Sequence, residues 1–399
     1  MKGKLDFRKI INRLHLWLGV PSALILFVLC LTGTVYVFQK EIIRFVDADK
    51  YKISVAAHPE HQLRMDTLIS RVEAKNPDWW VRSIDIPENK NEKWFFTLAS
   101  TQPMAKDGTT NKLRLLLVNP YTGSVEASAR TSTYHFFEIV IELHRWLLLK
   151  HSVGAVITVT ATFIFILLEI TGLILWLPHK LKQWKKWTMW KQGLVVKMGA
   201  HKKRFTYDLH KTLGFYSFLL VTLMAVTAPH FAYSWYRDWV AISLGAKPKK
   251  VVIPSKIKYP QSSRPEKTVW LDDAVVSVNK QFPYKGDLRV NFPRNETAVL
   301  SIVKAKAGLF SSAGTDGISF DQNNGKLKKV NTFASKSTGE KVIALMRGLH
   351  TGEAFGLLTK MLYFLACLIA TSLPMTGVMI WLNKGKKKKK PAVKAKVRA

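Results

Sequence analysis

The sequence predicts an integral membrane α-helical protein: a four-helix transmembrane bundle that carries two α+β domains on its outer side. Three observations lead there. Hydrophobic residues make up 48% of the 399 residues while the formal net charge is +34, so apolar and basic residues must be segregated along the chain. Four nearly uncharged runs, about Leu14 to Phe38, Ser152 to Leu177, Thr212 to Trp235 and Leu362 to Leu382, each reach the roughly 20 residues that cross a hydrocarbon core. The long stretches after the first and third runs alternate apolar and polar residues, as antiparallel strands do.

Residues 1–46 form the N-terminus and helix one. That run is too long and too rich in Phe, Tyr and Trp for a removable signal peptide, and no small-residue cleavage site follows it. Residues 47–143 form the first outer domain, with a helix at Asp66 to Lys75, strands at Trp79 to Ile86, Lys93 to Ala99 and Leu113 to Asn119, and turns at Asn119-Pro120 and Tyr121-Thr122-Gly123. Helix two occupies 144–178, a basic loop 179–208 and helix three 209–237. The second outer domain, 238–347, repeats the order of the first: a helix at Leu271 to Lys280, strands at Gly286 to Phe292, Thr297 to Val303 and Gly317 to Asp321, and a turn at Asn323-Asn324-Gly325. Helix four is 348–382 and a basic tail 383–399.

The basic residues decide orientation. Lys2, Lys4, Arg8, Lys9 and Arg13 precede helix one, the 179–208 loop carries nine Lys/Arg against one Asp, and the tail after Leu382 carries nine and no acid. Four spans put all three segments on one side, and short basic loops stay in the cytoplasm, so both termini are expected inside. This placement also explains the high pI without nucleic acid as a partner. The Lys386 to Lys390 run and Lys394 to Ala399 suit anchoring at anionic lipid headgroups. Trp184, Trp187 and Trp190 recur every three residues, which places them on one face of an interfacial helix. Cys30 and Cys367 lie inside apolar runs; with two cysteines and no C-x-x-C-H, neither a disulfide framework nor covalent haem attachment is available.

A Leu-His step stands at the entry to each span: Leu14-His15, Leu143-His144, Leu209-His210 and Leu349-His350. A Thr-Gly step follows deeper in three helices, at Thr32-Gly33, Thr171-Gly172 and Thr376-Gly377, and the third helix has Thr227-Ala228. A helical hairpin is repeated with variation. Helices one and three begin inside and helices two and four outside, which pairs His15 with His210 and His144 with His350. Ionisable groups at that depth face a bundle interior or a functional site, and bundles build cofactor sites from facing helices. Two axial imidazoles suit a low-spin b-type haem iron that passes electrons without binding oxygen. The expectation is two bis-His haems b, one near each face. A lone histidine at a membrane boundary more simply caps a helix or meets lipid phosphate; four in matched contexts favour ligation.

Gly19, Gly154, Gly214 and Gly356 stand near the four copies and let a flat macrocycle or a neighbouring helix approach. His151, seven residues after His144 and on about the same helix face, is the alternative outer ligand. The catalytic candidates are Glu169, the only acid well inside an apolar run and suited to relay a proton or pair with a polar neighbour, and His230, after Pro229, suited to a substrate-side role. His135 and His179 read as interfacial, and His58, His61 and His201 as solvent-exposed. No dinucleotide fingerprint, Walker loop or His-Glu-x-x-His occurs, so the chain shows no nicotinamide or flavin site.

The sequence resembles the PepSY-associated transmembrane family, which includes bacterial inner-membrane ferric-siderophore reductases. The resemblance spans nearly the whole chain and rests on Leu14-His15-Leu16-Trp17-Leu18-Gly19, Glu142-Leu143-His144-Arg145-Trp146-Leu147-Leu148, Asp208-Leu209-His210-Lys211-Thr212-Leu213-Gly214 and Leu349-His350-Thr351-Gly352-Glu353-Ala354-Phe355-Gly356. It implies that His15, His144, His210 and His350 are haem ligands and that the outer segments are periplasmic PepSY-like domains. It also implies that electrons from a cytoplasmic or membrane donor reduce ferric iron in a periplasmic siderophore. Thr227-Ala228-Pro229-His230 departs from the family tendency, which favours a glycine at that helix end. Two other classes compete: a non-catalytic interaction or regulatory protein whose outer domains bind a peptide or protein, and a carrier of haem or iron, for which four spans leave little aqueous room.

Overall fold

The computed structural model describes residues 6–53, 61–101, 113–126, 128–246, 270–293, 299–306, 314–322 and 324–385. Expectations that fall on Lys2, Lys4, His58, Thr297, Asn323 and the basic tail from residue 386 lie outside the described residues. In chain order the elements are α1 (Phe7–Tyr36), α2 (Gln39–Val46), α3 (Ala48–Tyr51), α4 (Met65–Ala74), β1 (Trp79–Ile86), β2 (Trp94–Ser100), β3 (Leu113–Val118), β4 (Val125–Glu126), α5 (Ser132–Trp146), α6 (His151–Trp176), α7 (Trp187–Leu194), α8 (Lys202–Thr227), α9 (Pro229–Ala232), α10 (Ser234–Ser243), α11 (Trp270–Gln281), β5 (Leu288–Asn291), β6 (Leu300–Ala305), β7 (Thr315–Phe320), β8 (Leu327–Asn331), α12 (Thr338–Thr351) and α13 (Leu357–Gly385). They fall into two compact units: Met1–Tyr36, Val140–Ala232 and Leu362–Ala399 form the first, and Val37–Ile139 and Tyr233–Met361 the second.

Four helical stretches among the described residues are long and apolar enough to cross a membrane: Phe7–Tyr36, His151–Trp176, Lys202–Ala232 and Leu357–Lys384. In the first unit α1 packs along α6, and α6 along α8. Leu26, Ala161 and Leu168 are buried where α1 meets α6, and Val221, Ala366 and Ala370 where α8 meets α13. Small residues at such seams let backbones approach closely. Leu24 and Leu219 on the outer faces are 74% and 73% exposed, which suits lipid as the surrounding medium. Hydroxyls inside the helices bond back to carbonyls of their own helix, as Ser22 does to Leu18 at 2.6 Å and Thr371 to Cys367 at 2.8 Å, which spares those groups from facing hydrocarbon bare.

The second and fourth spans start later than their Leu-His steps led us to expect. They begin at His151 and Leu357, each seven residues past the histidine, while His144 and His350 sit on the preceding helices α5 and α12. Leu147 and Leu148 break the chain after α5 with φ of 54° and 57°, and Gly352 and Gly356 break it after α12 with φ of 78° and 79°. Gly154 belongs to the first break: a Cβ there would lie 2.1 Å from the Trp146 carbonyl oxygen, so this glycine seats one helix on the other and leaves no room for a macrocycle. The tryptophan triplet also departs from expectation. Trp184 precedes α7, donating to the Pro178 carbonyl at 3.2 Å, and only Trp187 and Trp190 share that helix.

In the second unit the two expected α+β domains are one. The eight strands among the described residues form a single antiparallel sheet of order β4-β3-β2-β1-β5-β6-β7-β8, joined by β1 against β5 in the register Ser83↔Asn291, Ile84↔Val290 and Asp85↔Arg289. Each half is a helix followed by a four-strand meander, and each alone would leave its first strand as an open edge; pairing those two strands closes both. Helix α4 packs on β1, α11 on β6, and the two helices on each other. One apolar core runs through both halves, including Leu68, Ile84 and Phe96 from the first and Leu271, Val290 and Ile302 from the second.

Candidate functional site

His15 on α1 and His210 on α8 face each other inside the first unit, with ring centroids 6.4 Å apart and planes at 83°. Two imidazoles bonded through one nitrogen each to a single metal at about 2 Å have centroids roughly 6 Å apart. An edge-to-face pair without a metal also spans roughly 4.5–7 Å, so spacing alone does not choose between them. The hydrogen bonds fix which nitrogen of each ring carries the proton.

His15 Nδ1 lies 2.9 Å from Thr171 Oγ1, and His210 Nδ1 lies 2.9 Å from Thr376 Oγ1. Each threonine has already committed its own proton down its helix: Thr171 donates to Leu167 and Leu168 carbonyls at 2.8 and 3.1 Å, and Thr376 to Ser372 and Leu373 at 3.0 and 3.1 Å. These hydroxyls can therefore only accept from the histidines. Both rings are thus protonated at Nδ1, which leaves the Nε2 lone pair available to a metal. A ligating histidine usually gives its second nitrogen to such a partner, which fixes tautomer and ring orientation together.

The same arrangement recurs at His144. Its Nδ1 lies 3.0 Å from the Leu29 carbonyl and 3.1 Å from Thr32 Oγ1, and Thr32 in turn donates to Val28 at 2.6 Å. In all three cases a glycine follows the threonine, and a Cβ built on it would stand 3.4 Å from the histidine Cε1: Gly172 at His15, Gly377 at His210 and Gly33 at His144. The Thr-Gly steps of the helical repeat are therefore part of the site. The fuller signal is Leu-x-x-Thr-Gly at Leu29–Gly33, Leu168–Gly172 and Leu373–Gly377; its threonine hydroxyl and glycine face together seat one imidazole, and at His144 the Leu29 carbonyl joins them.

Between His15 and His210 opens a cavity of about 480 Å³, within the roughly 300–1,000 Å³ typical of cofactor sites. Leu26, Phe165 and Phe218 line its apolar wall, and Gly19 and Gly214, one turn beyond the two histidines, line it too. Arg8, Lys9, Lys211 and Lys384 bring positive charge, with Asp6 as their acidic neighbour. Arg8 is fixed by donating to the Leu177 carbonyl at 3.0 Å and to that of Leu175. Among the described residues no group of three or more His, Cys, Asp or Glu is placed to hold a bare metal ion. Two imidazoles suffice where the bound group brings its own donors, as porphyrin does. The donor set, the cavity and the cationic residues fit a b-type haem.

The remaining candidates are placed as follows. Glu169 is buried in the cavity wall on α6. His151, at the start of α6, is exposed and rests on the Trp146 ring at 4.2 Å, so the grip that holds His144 has no counterpart there. His230 is half-buried on α9 with its ring edge toward Phe231 at 5.4 Å. His350 is half-buried near the end of α12 in the second unit. Cys367 is buried with Sγ 3.4 Å from Met224 Sδ, as packing groups are.

The model of one protein family, described as the PepSY-associated TM region, matches residues 12–384. No curated protein matches the chain.

Proposed function

The chain belongs to the PepSY-associated transmembrane family, and from that premise we propose that it is a haem-bearing oxidoreductase of the bacterial inner membrane that passes electrons outward to ferric iron held in a periplasmic siderophore. The observation that carries this reading is the pair His15 and His210, each held at Nδ1, each with Nε2 left as the free donor atom, and with ring centroids 6.4 Å apart. When bound there, a b-type haem supplies a one-electron couple that needs no bond to the substrate. The apolar wall of Leu26, Phe165 and Phe218 keeps water from the ligated face, and burial of this kind is one lever on a haem's potential. Arg8, Lys9, Lys211 and Lys384 offer counter-charge to acidic groups on the cofactor's edge.

From the sequence repeat we keep His144 and His350 as the expected outer ligands, and for His144 the Leu29-Thr32-Gly33 grip supports the role. The basic segments beside the spans favour both termini in the cytoplasm, so electrons from a cytoplasmic or membrane donor enter at the His15 and His210 end. The substrate is the ferric chelate. Hard oxygen donors hold Fe(III) more tightly than Fe(II), and one electron loosens the iron. Glu169, in the cavity wall, is positioned to hold a proton beside the inner site.

A reduced-minus-oxidised optical spectrum of the purified full chain tests the proposal and is expected to show b-type bands. Haem counted per polypeptide should fall by one in either His15→Ala or His210→Ala, and by the other one in either His144→Ala or His350→Ala, while His151→Ala keeps the full complement. A purified chain without b-type bands removes the proposal. Haem bands accompanied by no reduction of a ferric siderophore would leave a haem protein and discard the substrate.

A further inference from the structure

Resting on the reading of His15 and His210 as axial ligands, we infer that Thr171 and Thr376 are positioning residues that hold the two imidazoles in crossed planes and thereby set the electronic state of the inner iron. An imidazole bonded to a metal only through Nε2 can turn about that bond, so its plane is decided by where Nδ1–H points. Here each Nδ1 is tied to a threonine of a different helix, His15 to Thr171 on α6 and His210 to Thr376 on α13, at 2.9 Å in both cases. Gly172 and Gly377 lie against Cε1 and leave each ring just the room it fills. The two grips come from separate helices, and the planes they impose cross at 83°.

The angle has a chemical consequence. An imidazole donates π density into the iron d orbital whose lobes stand perpendicular to the ring. Two parallel rings load the same orbital and split the pair; two crossed rings load both alike and leave them nearly degenerate. In low-spin ferric iron, near-degeneracy keeps orbital moment on the unpaired electron and makes its magnetic response strongly anisotropic. The Nδ1 hydrogen bonds add donor strength to both imidazoles, which favours the ferric state and lowers the reduction potential.

Electron paramagnetic resonance of the oxidised, purified full chain reads this directly. The expected spectrum contains a strongly anisotropic low-spin signal with one very large g value. Thr171→Val and Thr376→Val keep the shape of the side chain and delete its acceptor; they are expected to retain b-type optical bands, to convert that signal to an ordinary rhombic one and to raise the inner midpoint potential. Thr171→Ser and Thr376→Ser, which restore a hydroxyl, should restore both. Loss of the inner haem in the Val variants with retention in the Ser variants would likewise place the hydroxyl in the grip. A wild-type spectrum that is rhombic only, with b-type bands intact, overturns the inference and leaves the haem assignment standing. So does an anisotropic signal that both Val variants leave unchanged. Absence of b-type bands overturns the assignment underneath.

Discussion

Lys360 buries its ammonium between two carboxylates, Glu41 at 2.7 and 2.8 Å and Glu353 at 3.5 Å, and Lys40 reaches Glu353 at 3.1 Å. Burial pushes the Glu353 carboxyl up, but Lys40 and then Lys360 outweigh it and hold the group below its usual value. A carboxylate with a depressed folded-state pKa adds stability that is present above its unfolded value, about 4.3, and is lost as pH falls through the folded one. Glu353→Gln should therefore melt below wild type at neutral pH, and the gap should close as the pH is taken below 4; melting curves in detergent that stay equally separated down to acid would refute this. The histidines were legible at this scale because four Leu-His copies announce themselves along the chain. Their threonine partners stand in a repeated Leu-x-x-Thr-Gly, but which imidazole each one meets was not legible, since Thr171 and Thr376 meet rings that stand on other helices.

Hydropathy placed four apolar runs where the spans lie, and it was the Leu-His steps that put the start of two helices too early. The stretch Leu143 to Leu149 is apolar enough to continue a span, yet Leu147 and Leu148 adopt left-handed backbone conformations, which leucine enters at a cost of roughly 1–2 kcal/mol and which no composition rule foretells. After α12 the same break falls on Gly352 and Gly356, residues suited to positive φ, and there the sequence did hold the cue. The break matters because it puts His144 on α5, where it meets the Leu29-Thr32-Gly33 grip, and leaves His151 exposed at the head of α6. Gly154 sets how closely the helices meet. Gly154→Ala drives a methyl into the Trp146 carbonyl and should cost about 1–3 kcal/mol, as overpacking does. Gly199 has nothing within 4 Å of the position a Cβ would take, so Gly199→Ala should stay within about 0.5 kcal/mol of wild type. Thermal melts of the two variants that shift alike would contradict the account of the break.

At the scale of the molecule, the second unit depends on a pairing that no local pattern reports. Alternation located β1 and β5 individually, and each half reads as a complete small domain with its own helix and meander. The residues that join them are far apart in sequence: Asp85 pairs with Arg289 across the seam, and Ile84 stands opposite Val290 in the shared core. If the halves were separate domains, damage to one would leave the other intact. With one sheet and one core they should open together. Ile84 is fully buried, and Ile84→Ala should cost about 2–5 kcal/mol, as large-to-small core changes do. Hydrogen exchange on the full chain then distinguishes the two cases. Protection should fall by a similar factor in Trp94–Ser100, beside the substitution, and in Leu300–Ala305, two strands away across the seam, because both lose the same core. A variant that loses protection in β1 to β4 while β5 to β8 exchange as in wild type would show two independent folding units, and the β1 to β5 seam would then be a contact between domains that stand without it.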